Sequence, residues 1–370
     1  MTHLPTIMFS LLATAVALTG RLGAAENVFQ KQSRGGRFLA ITGEFEKQYT
    51  AYFKSLESAK TDAERATAEK KKPSDLDFGK QILALVKEAP ADGTSFDALV
   101  WIVENLDAPD ALAVLDEALA LFEKHHVKSP RLKTAFPVLA ACPSERAESL
   151  LERLGEKGET REIRGLGLYH LARRRAKRLG GTDDAKRQGA IESLLERVRK
   201  EYGDIQPDDE EKTLKQLAAG AIFEIQNLRP GKMIPELAGD DVAGKPLKLS
   251  GFRGKVVLLV FWGTWCQPCM AKVPFERMLM EKFSGRPFTV VGVNCGDQKK
   301  KAAAVMKEQK MTWPSFSDGD DGPIVSRWNI SDFPTVILID AQGKILQRDP
   351  ADDAELERAV AEAVAKAADK

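Results

Sequence analysis

The period of the apolar positions changes near residue 229. Before it they recur every third or fourth residue, the spacing of one helix face; after it they come in short solid runs bounded by glycine and proline. In the first part Phe45, Tyr49, Tyr52, Phe53 and Leu56 fall on one helical face, and Glu69 to Ser74 is a charged break. Ser95 then precedes Phe96, Leu99, Val100 and Val103, and Pro109 opens Leu112, Leu115, Leu119 and Phe122. Ser144 precedes Ala147, Leu150, Leu151 and Leu154; Thr160 precedes Ile163 and Leu171; Thr182 precedes Ile191, Leu194, Leu195 and Val198. Each is a start residue ahead of an apolar stripe, with Gly155, Gly180-Gly181 and Gly203 reading as stops. The starts near Pro109, Ser144 and Thr182 lie about 35–38 residues apart, one helix hairpin each. The pattern predicts an all-α domain over residues 26–225 that is solenoid-like. No repeat consensus accompanies the spacing, so a plain helical bundle fits it equally. As a solenoid the domain would bind a protein partner; as a bundle it would only pack.

A polar gap at Gln206 to Glu211 precedes one more amphipathic helix, about Lys212 to Ile225. Pro230, Gly231, Gly239, Gly244 and Gly251 follow, and then Val256 to Trp262, apolar throughout and rich in β-branched residues. That run reads as a strand buried on both faces, in a parallel sheet. Phe288 to Asn294 and Val336 to Asp340 read alike, and Ala341-Gln342-Gly343 turns into Lys344 to Gln347 as a hairpin. Helical patterns run from Met270 to Phe283, Lys299 to Lys310 and Asp353 to Lys366. Residues 229–368 are therefore expected to form an α/β domain with a mostly parallel sheet.

Composition changes this picture little. A chain of 370 residues accommodates two domains, and 43% hydrophobic with 29% charged residues is ordinary for a globular protein. A net charge of +1 gives no overall field for nucleic acid. The N-terminus adds an address. Ile7 to Leu18 is a short apolar run, and Gly23 and Ala25 fit a signal-peptidase site, so residues 1–25 are expected to be a signal peptide cleaved before Glu26. Its leading segment has His3 but no Lys or Arg, and the run is short for a membrane span. No cysteine follows Ala25 to carry a lipid anchor. The expected location is the periplasm or another extracytoplasmic space.

Only four cysteines occur, Cys142, Cys266, Cys269 and Cys295, too few for a disulfide-stapled scaffold. Two share a Cys-x-x-Cys. Structural zinc needs four ligands, and the histidines (His3, His125, His126, His170) all lie far upstream, so no metal is expected. The pair falls where a buried strand gives way to a helix. There Cys266 would meet the unpaired N–H groups and positive dipole end that stabilise a thiolate. Cys269, one turn on, can close onto Cys266 and release the product. Pro268 suits the first helical turn, and Trp265 supplies a flat apolar flank, with Trp262 assigned to the core. No cofactor beyond a Cys266–Cys269 disulfide is implied.

The stretch Phe261-Trp262-Gly263-Thr264-Trp265-Cys266-Gln267-Pro268-Cys269, with Pro274 beyond, resembles the thioredoxin fold. More narrowly, it is similar to the TlpA/ResA-like thiol–disulfide oxidoreductases of the redoxin group. Pro235-Glu236-Leu237, Gly244-Lys245, Leu249-Ser250, Gly254-Lys255 and Phe333-Pro334-Thr335 fit the same branch. The resemblance covers about residues 229–368 and none of the helical region. It implies a cis-proline at Pro334 against the dithiol and substrate hydrogen bonding by the backbone of Phe333; the redox potential itself is expected to be set largely by Gln267-Pro268 and the thiolate environment. It implies protein thiols and disulfides as partners, together with an electron donor.

Departures accompany it. Where thioredoxin carries a buried aspartate and a facing lysine, this chain has Val260 and Gly292, and where ResA-like members carry a helix glutamate it has Lys272. The usual proton carrier is missing from those positions. Cys142 and Cys295 read as small buried residues, with a bridge between them as the alternative. Asp318-Gly319-Asp320-Asp321-Gly322 reads as a turn, and Lys299-Lys300-Lys301 as a solvated helix face. Two other functions fit parts of the chain. One is a thiol peroxidase, against which Gly263 stands where that chemistry places a threonine; the other is a partner-binding helical scaffold with an accessory redox domain.

Overall fold

The structure, a computed structural model, describes residues 33–59, 61–179, 185–208, 210–319 and 322–368. The expected signal peptide, the Gly180-Gly181 stop and the start at Thr182 lie outside the described residues. These residues form two compact units that divide between Arg174 and Arg175.

The first unit is helical: α1 Arg34–Ser58, α2 Asp62–Glu69, α3 Asp75–Glu88, α4 Gly93–Asn105, α5 Leu112–His126, α6 Phe136–Ala141, α7 Glu145–Lys157 and most of α8 Arg161–Lys177. Side-chain oxygens of Ser33, Thr61, Ser74, Asp92, Ser144 and Thr160 accept hydrogen bonds from first-turn N–H groups and fix the starts. Consecutive helices pack on one another, α3 on α4 and α4 on α5. Ile82, Leu99, Ile102, Leu115 and Leu119 are completely buried between them. Inter-helix ion pairs such as Lys87–Glu117 and Arg131–Asp97 are half exposed and add under about 1 kcal/mol each, so apolar burial holds this array.

Two start and stop assignments are corrected here. Asp92, not Ser95, caps α4; Ser95 is buried in the first turn and donates to the Ala89 carbonyl. Gly155 does not stop α7 but lies inside it. A Cβ there would meet the Leu168 side chain at 2.7 Å, and one on Gly167 would meet the Gly155 nitrogen at 2.6 Å. Glycine is required because α7 and α8 touch backbone to backbone.

The second unit contains α9 Ala185–Glu201, α10 Leu214–Asn227, α11 Gln267–Lys282, α12 Lys299–Glu308, α13 Pro323–Trp328 and α14 Asp353–Ala368. Its strands are β1 Ala238–Asp240, β2 Pro246–Lys248, β3 Val256–Trp262, β4 Phe288–Cys295, β5 Ser315–Gly319, β6 Thr335–Ile339 and β7 Ile345–Arg348. The division falls earlier than the expected 225/229 junction because α9 and α10 pack with this unit. Gly220 of α10 lies so close to Asn329 that a Cβ would be 2.3 Å from its Oδ1, and Glu224 pairs with Arg348 of β7 at 2.8 Å.

The main sheet has the order β5-β4-β3-β6-β7. All seven residues of β3 are buried. Val256, Leu258, Val260 and Trp262 face a cluster completed by α11, α12 and α14; Val257, Leu259 and Phe261 face Trp328 of α13 and Leu228 at the end of α10. The expected mostly parallel sheet is corrected to a mixed one: β3–β4 and β4–β5 are parallel, but β6 runs antiparallel to both β3 and β7. A strand covered on both faces is apolar whatever its direction, so hydropathy could not tell the two apart. Among the described residues no helix is long and apolar enough to cross a membrane.

Candidate active site

β3 ends at Trp262, the chain turns through Gly263-Thr264-Trp265, and α11 begins at Gln267 with Pro268 in its first turn. Cys266 is the N-cap, in extended backbone, and its Sγ accepts the Cys269 N–H at 3.1 Å. Four N–H groups at any helix start lack intrahelical acceptors, and here one of them points at the sulfur. That is the arrangement that favours a thiolate at this position. Cys266 and Cys269 are joined in a disulfide, with Cα atoms 5.3 Å apart, and both are buried.

Trp265 is 54% exposed, unusual for a tryptophan, and its ring meets Phe333 edge-on at 5.1 Å. The Phe333–Pro334 bond is cis, as the resemblance implied. Gln267 and Pro268 lie exposed on the first turn of α11. Thus Trp265, Cys266, Gln267, Pro268, Cys269, Phe333 and Pro334 come together at one end of the sheet.

The remaining cysteines stand apart from this chemistry. Cys142 and Cys295 are buried thiols, not halves of a disulfide. Cys295 packs on the sheet face opposite the dithiol. Burial, reinforced by Asp318 and Asp297, pushes its thiol up, away from the reactive thiolate.

Three positions bear on proton handling. Val260 and Gly292 are register partners on β3 and β4. A Cβ on Gly292 would lie 2.5 Å from Ser315 Oγ and 2.8 Å from Trp262 Nε1, so no larger side chain fits there. Lys272 points outward and pairs with Asp353 of α14 at 2.8 Å. The usual positions carry no acid, but a buried one, Glu276, lies elsewhere on α11. It lies two turns beyond Cys269, on the buried stripe Cys269, Val273, Glu276 and Leu279. Burial raises its carboxyl to about 7; Lys272 opposes the rise and Asp353 adds to it. A glutamate on an apolar stripe at helical spacing was the sequence signal for it.

Asp297 also escaped the sequence reading, as did its partner Thr264. Asp297 follows β4, and its side chain is fully covered although it lies just beneath the surface. It accepts the Thr264 N–H at 2.7 Å, the Thr264 hydroxyl at 2.5 Å and Asn294 Nδ2 at 3.0 Å, and pairs with Lys301 at 3.0 Å. Burial alone would push this carboxyl up, but the bonds from Thr264, Asn294 and Lys301 outweigh it and hold it below the usual range. On the face expected to be only solvated, Lys301 thus pairs with Asp297 and Lys299 pairs with Asp240 at 2.8 Å. Of the turn expected at Asp318 to Gly322, Asp318 and Gly319 end β5 and Asp320 and Asp321 lie outside the described residues; the Asp318 carboxylate accepts the N–H groups of Ile324 and Val325.

Comparison with known proteins follows the same residues. The redoxin family model matches residues 229–365. The chain is similar to thiol–disulfide oxidoreductase ResA of Bacillus subtilis (strain 168), 31% identical over 122 residues, which are 33% of this chain and 68% of that protein. It is similar to the ResA of Geobacillus kaustophilus (strain HTA426), 32% identical over 117 residues, 32% of this chain and 67% of that protein. A solved thiol:disulfide interchange protein of the thioredoxin family from Chlorobium tepidum is 28% identical, with 37% of this chain and 97% of that chain covered and a TM-score of 0.33.

Proposed function

The chain belongs to the ResA-like thiol–disulfide oxidoreductases of the redoxin family, and we propose that it exchanges disulfides with protein substrates outside the cytoplasm, with Cys266 attacking and Cys269 resolving. In the reducing direction the Cys266 thiolate attacks one sulfur of a substrate disulfide. A mixed disulfide forms, and the other substrate sulfur leaves as a thiolate that takes up a proton. Cys269, deprotonated in turn, attacks Cys266 Sγ. The second substrate thiol departs, and the enzyme keeps its two former thiol sulfurs as the Cys266–Cys269 disulfide. Two electrons and two protons pass to the substrate, and a donor must then reduce the enzyme. Run backwards, the same steps oxidise a dithiol.

The observation that carries this reading is the disulfide at the start of α11, with Cys266 as N-cap beneath an exposed tryptophan. Trp265, Phe333 and cis-Pro334 would hold an extended substrate segment across the sulfurs, and Gln267-Pro268 would tune the potential. The location rests on Ile7 to Ala25, read as a signal peptide. Insulin reduction followed by turbidity tests the activity: the wild type should precipitate the B chain and Cys266→Ser should not. Persisting activity in Cys266→Ser would overturn the assignment. An exported protein starting at Glu26 would support the location; a chain retained in the cytoplasm with Met1 intact would refute it.

A further inference from the structure

Two segments meet above the sheet end: the loop 263–265, which delivers Cys266, and residues 295–297, which close β4. They are joined twice. The Asp297 carboxylate takes both the N–H and the hydroxyl of Thr264, and the Cys295 carbonyl accepts the Trp265 indole N–H at 2.9 Å. The fit leaves no slack. A Cβ on Gly263 would lie 2.4 Å from Trp265 Nε1, and one on Gly296, whose φ is +69°, would lie 3.0 Å from it. Asp297 is itself braced by Asn294 from β4 and by Lys301 from α12.

We propose that Asp297 is a positioning residue for thiol–disulfide exchange: its carboxylate clasps Thr264 and so fixes Trp265 and the N-cap Cys266 for attack on the substrate disulfide. The inference rests on the reading of the dithiol given above. Two adjacent residues immediately before the nucleophile are anchored to one short segment. Thr264 satisfies both its donors on one rigid carboxylate, which pins its backbone and side chain together. In-line attack on a disulfide tolerates little misplacement, and a shift of about 1 Å is enough to slow a reaction up to a hundredfold. An asparagine at 297 keeps the size but has one acceptor oxygen for two Thr264 donors, and turns an N–H₂ toward the other.

The test uses the full chain in its reduced form and measures the second-order rate of insulin reduction together with Trp265 fluorescence. Asp297→Asn should slow exchange about tenfold and shift the Trp265 emission. Thr264→Val, which deletes only the hydroxyl bond, should slow it less, and Thr264→Ser, which keeps both bonds, should restore the wild-type rate. Since Asp297 acts through Thr264, the double variant Asp297→Asn, Thr264→Val should be no slower than Asp297→Asn alone. If Asp297→Asn does not fold, the contrast between Thr264→Val and Thr264→Ser decides. An active wild type whose Asp297→Asn and Thr264→Val variants both stay within about twofold of it, or whose losses multiply in the double variant, overturns the clasp. A wild type that reduces no disulfide overturns instead the reading of the dithiol on which the clasp depends.

Discussion

Two buried carboxylates serve the active-site helix, one beside its start and one within it, and their affinities for a proton are shifted in opposite directions. Asp297 lies beside the loop entering α11 and is ionised, because four donors converge on its two oxygens. Glu276 lies two turns inside α11 among Val273, Leu279 and the sheet, where burial raises its carboxyl to about 7. Burial depth alone does not decide the charge of an acid; the donors aimed at it do. Only the ionised one is tied to the residues that deliver Cys266.

The largest effect expected from breaking this contrast is on the ionised side. Asp297→Ala leaves the Thr264 N–H and Asn294 Nδ2 without their acceptor and should destabilise the unit by about 4 kcal/mol, at one to three for each orphaned buried donor. A urea midpoint lowered accordingly would bear this out; an unchanged midpoint would show that the donors find other partners.

The opposite sign is expected at Glu276. Its ordinary value of 4.5 rises to about 7 on folding, so the folded state binds the proton more tightly. The contribution of Glu276 to stability is therefore greatest below about pH 4.5 and is lost as pH rises through about 7. Above both values the charged form is destabilising by about 3 kcal/mol, an order-of-magnitude figure. Glu276→Gln should then raise the urea midpoint at pH 8 and leave it unchanged at pH 4. Equal gains at both values would show that packing, not ionisation, is responsible.

A smaller loss, about 2 kcal/mol, is expected for Gly292→Ala, whose Cβ would press on Ser315 Oγ and Trp262 Nε1. Full stability in that variant would mean that the position opposite Val260 has room to spare. Smallest is Lys272→Met. The half-exposed pair with Asp353 is worth under about 1 kcal/mol, but Lys272 holds the Glu276 carboxyl down. The titration of Glu276, followed by carboxyl NMR, should move to higher pH when that charge is lost; a move to lower pH would reverse the roles given to the two neighbours.

The sequence made the apolar frame and the dithiol legible, and much less of what surrounds them. β3 runs over Val256–Trp262 as expected, since seven buried residues leave a continuous apolar record. The strand-to-helix position of Cys266 followed from that run and Pro268, while the cis bond at Pro334 came through the resemblance. β5 was missed because Phe316 is the one apolar residue in Ser315–Gly319, too little for a strand pattern, and the segment ends in what reads as a turn. Asp297 and Glu276 were missed for a common reason. A charged side chain is ordinarily exposed: the helical stripe that carries Glu276 was legible but a glutamate on it reads as solvated, while the burial of Asp297 depends on donors from Thr264, Asn294 and Lys301 that no local pattern records.

The central claim is that Cys266 attacks and Cys269 resolves. Trapping of mixed disulfides tests it most directly: Cys269→Ser and Cys266→Ser, each reduced, are offered the same disulfide-bonded protein, and the linked species are identified by mass spectrometry. Cys269→Ser should accumulate substrate on Cys266, while Cys266→Ser should accumulate none on Cys269. Substrate captured on Cys269, or capture by neither variant from a substrate that the wild type reduces, would contradict it.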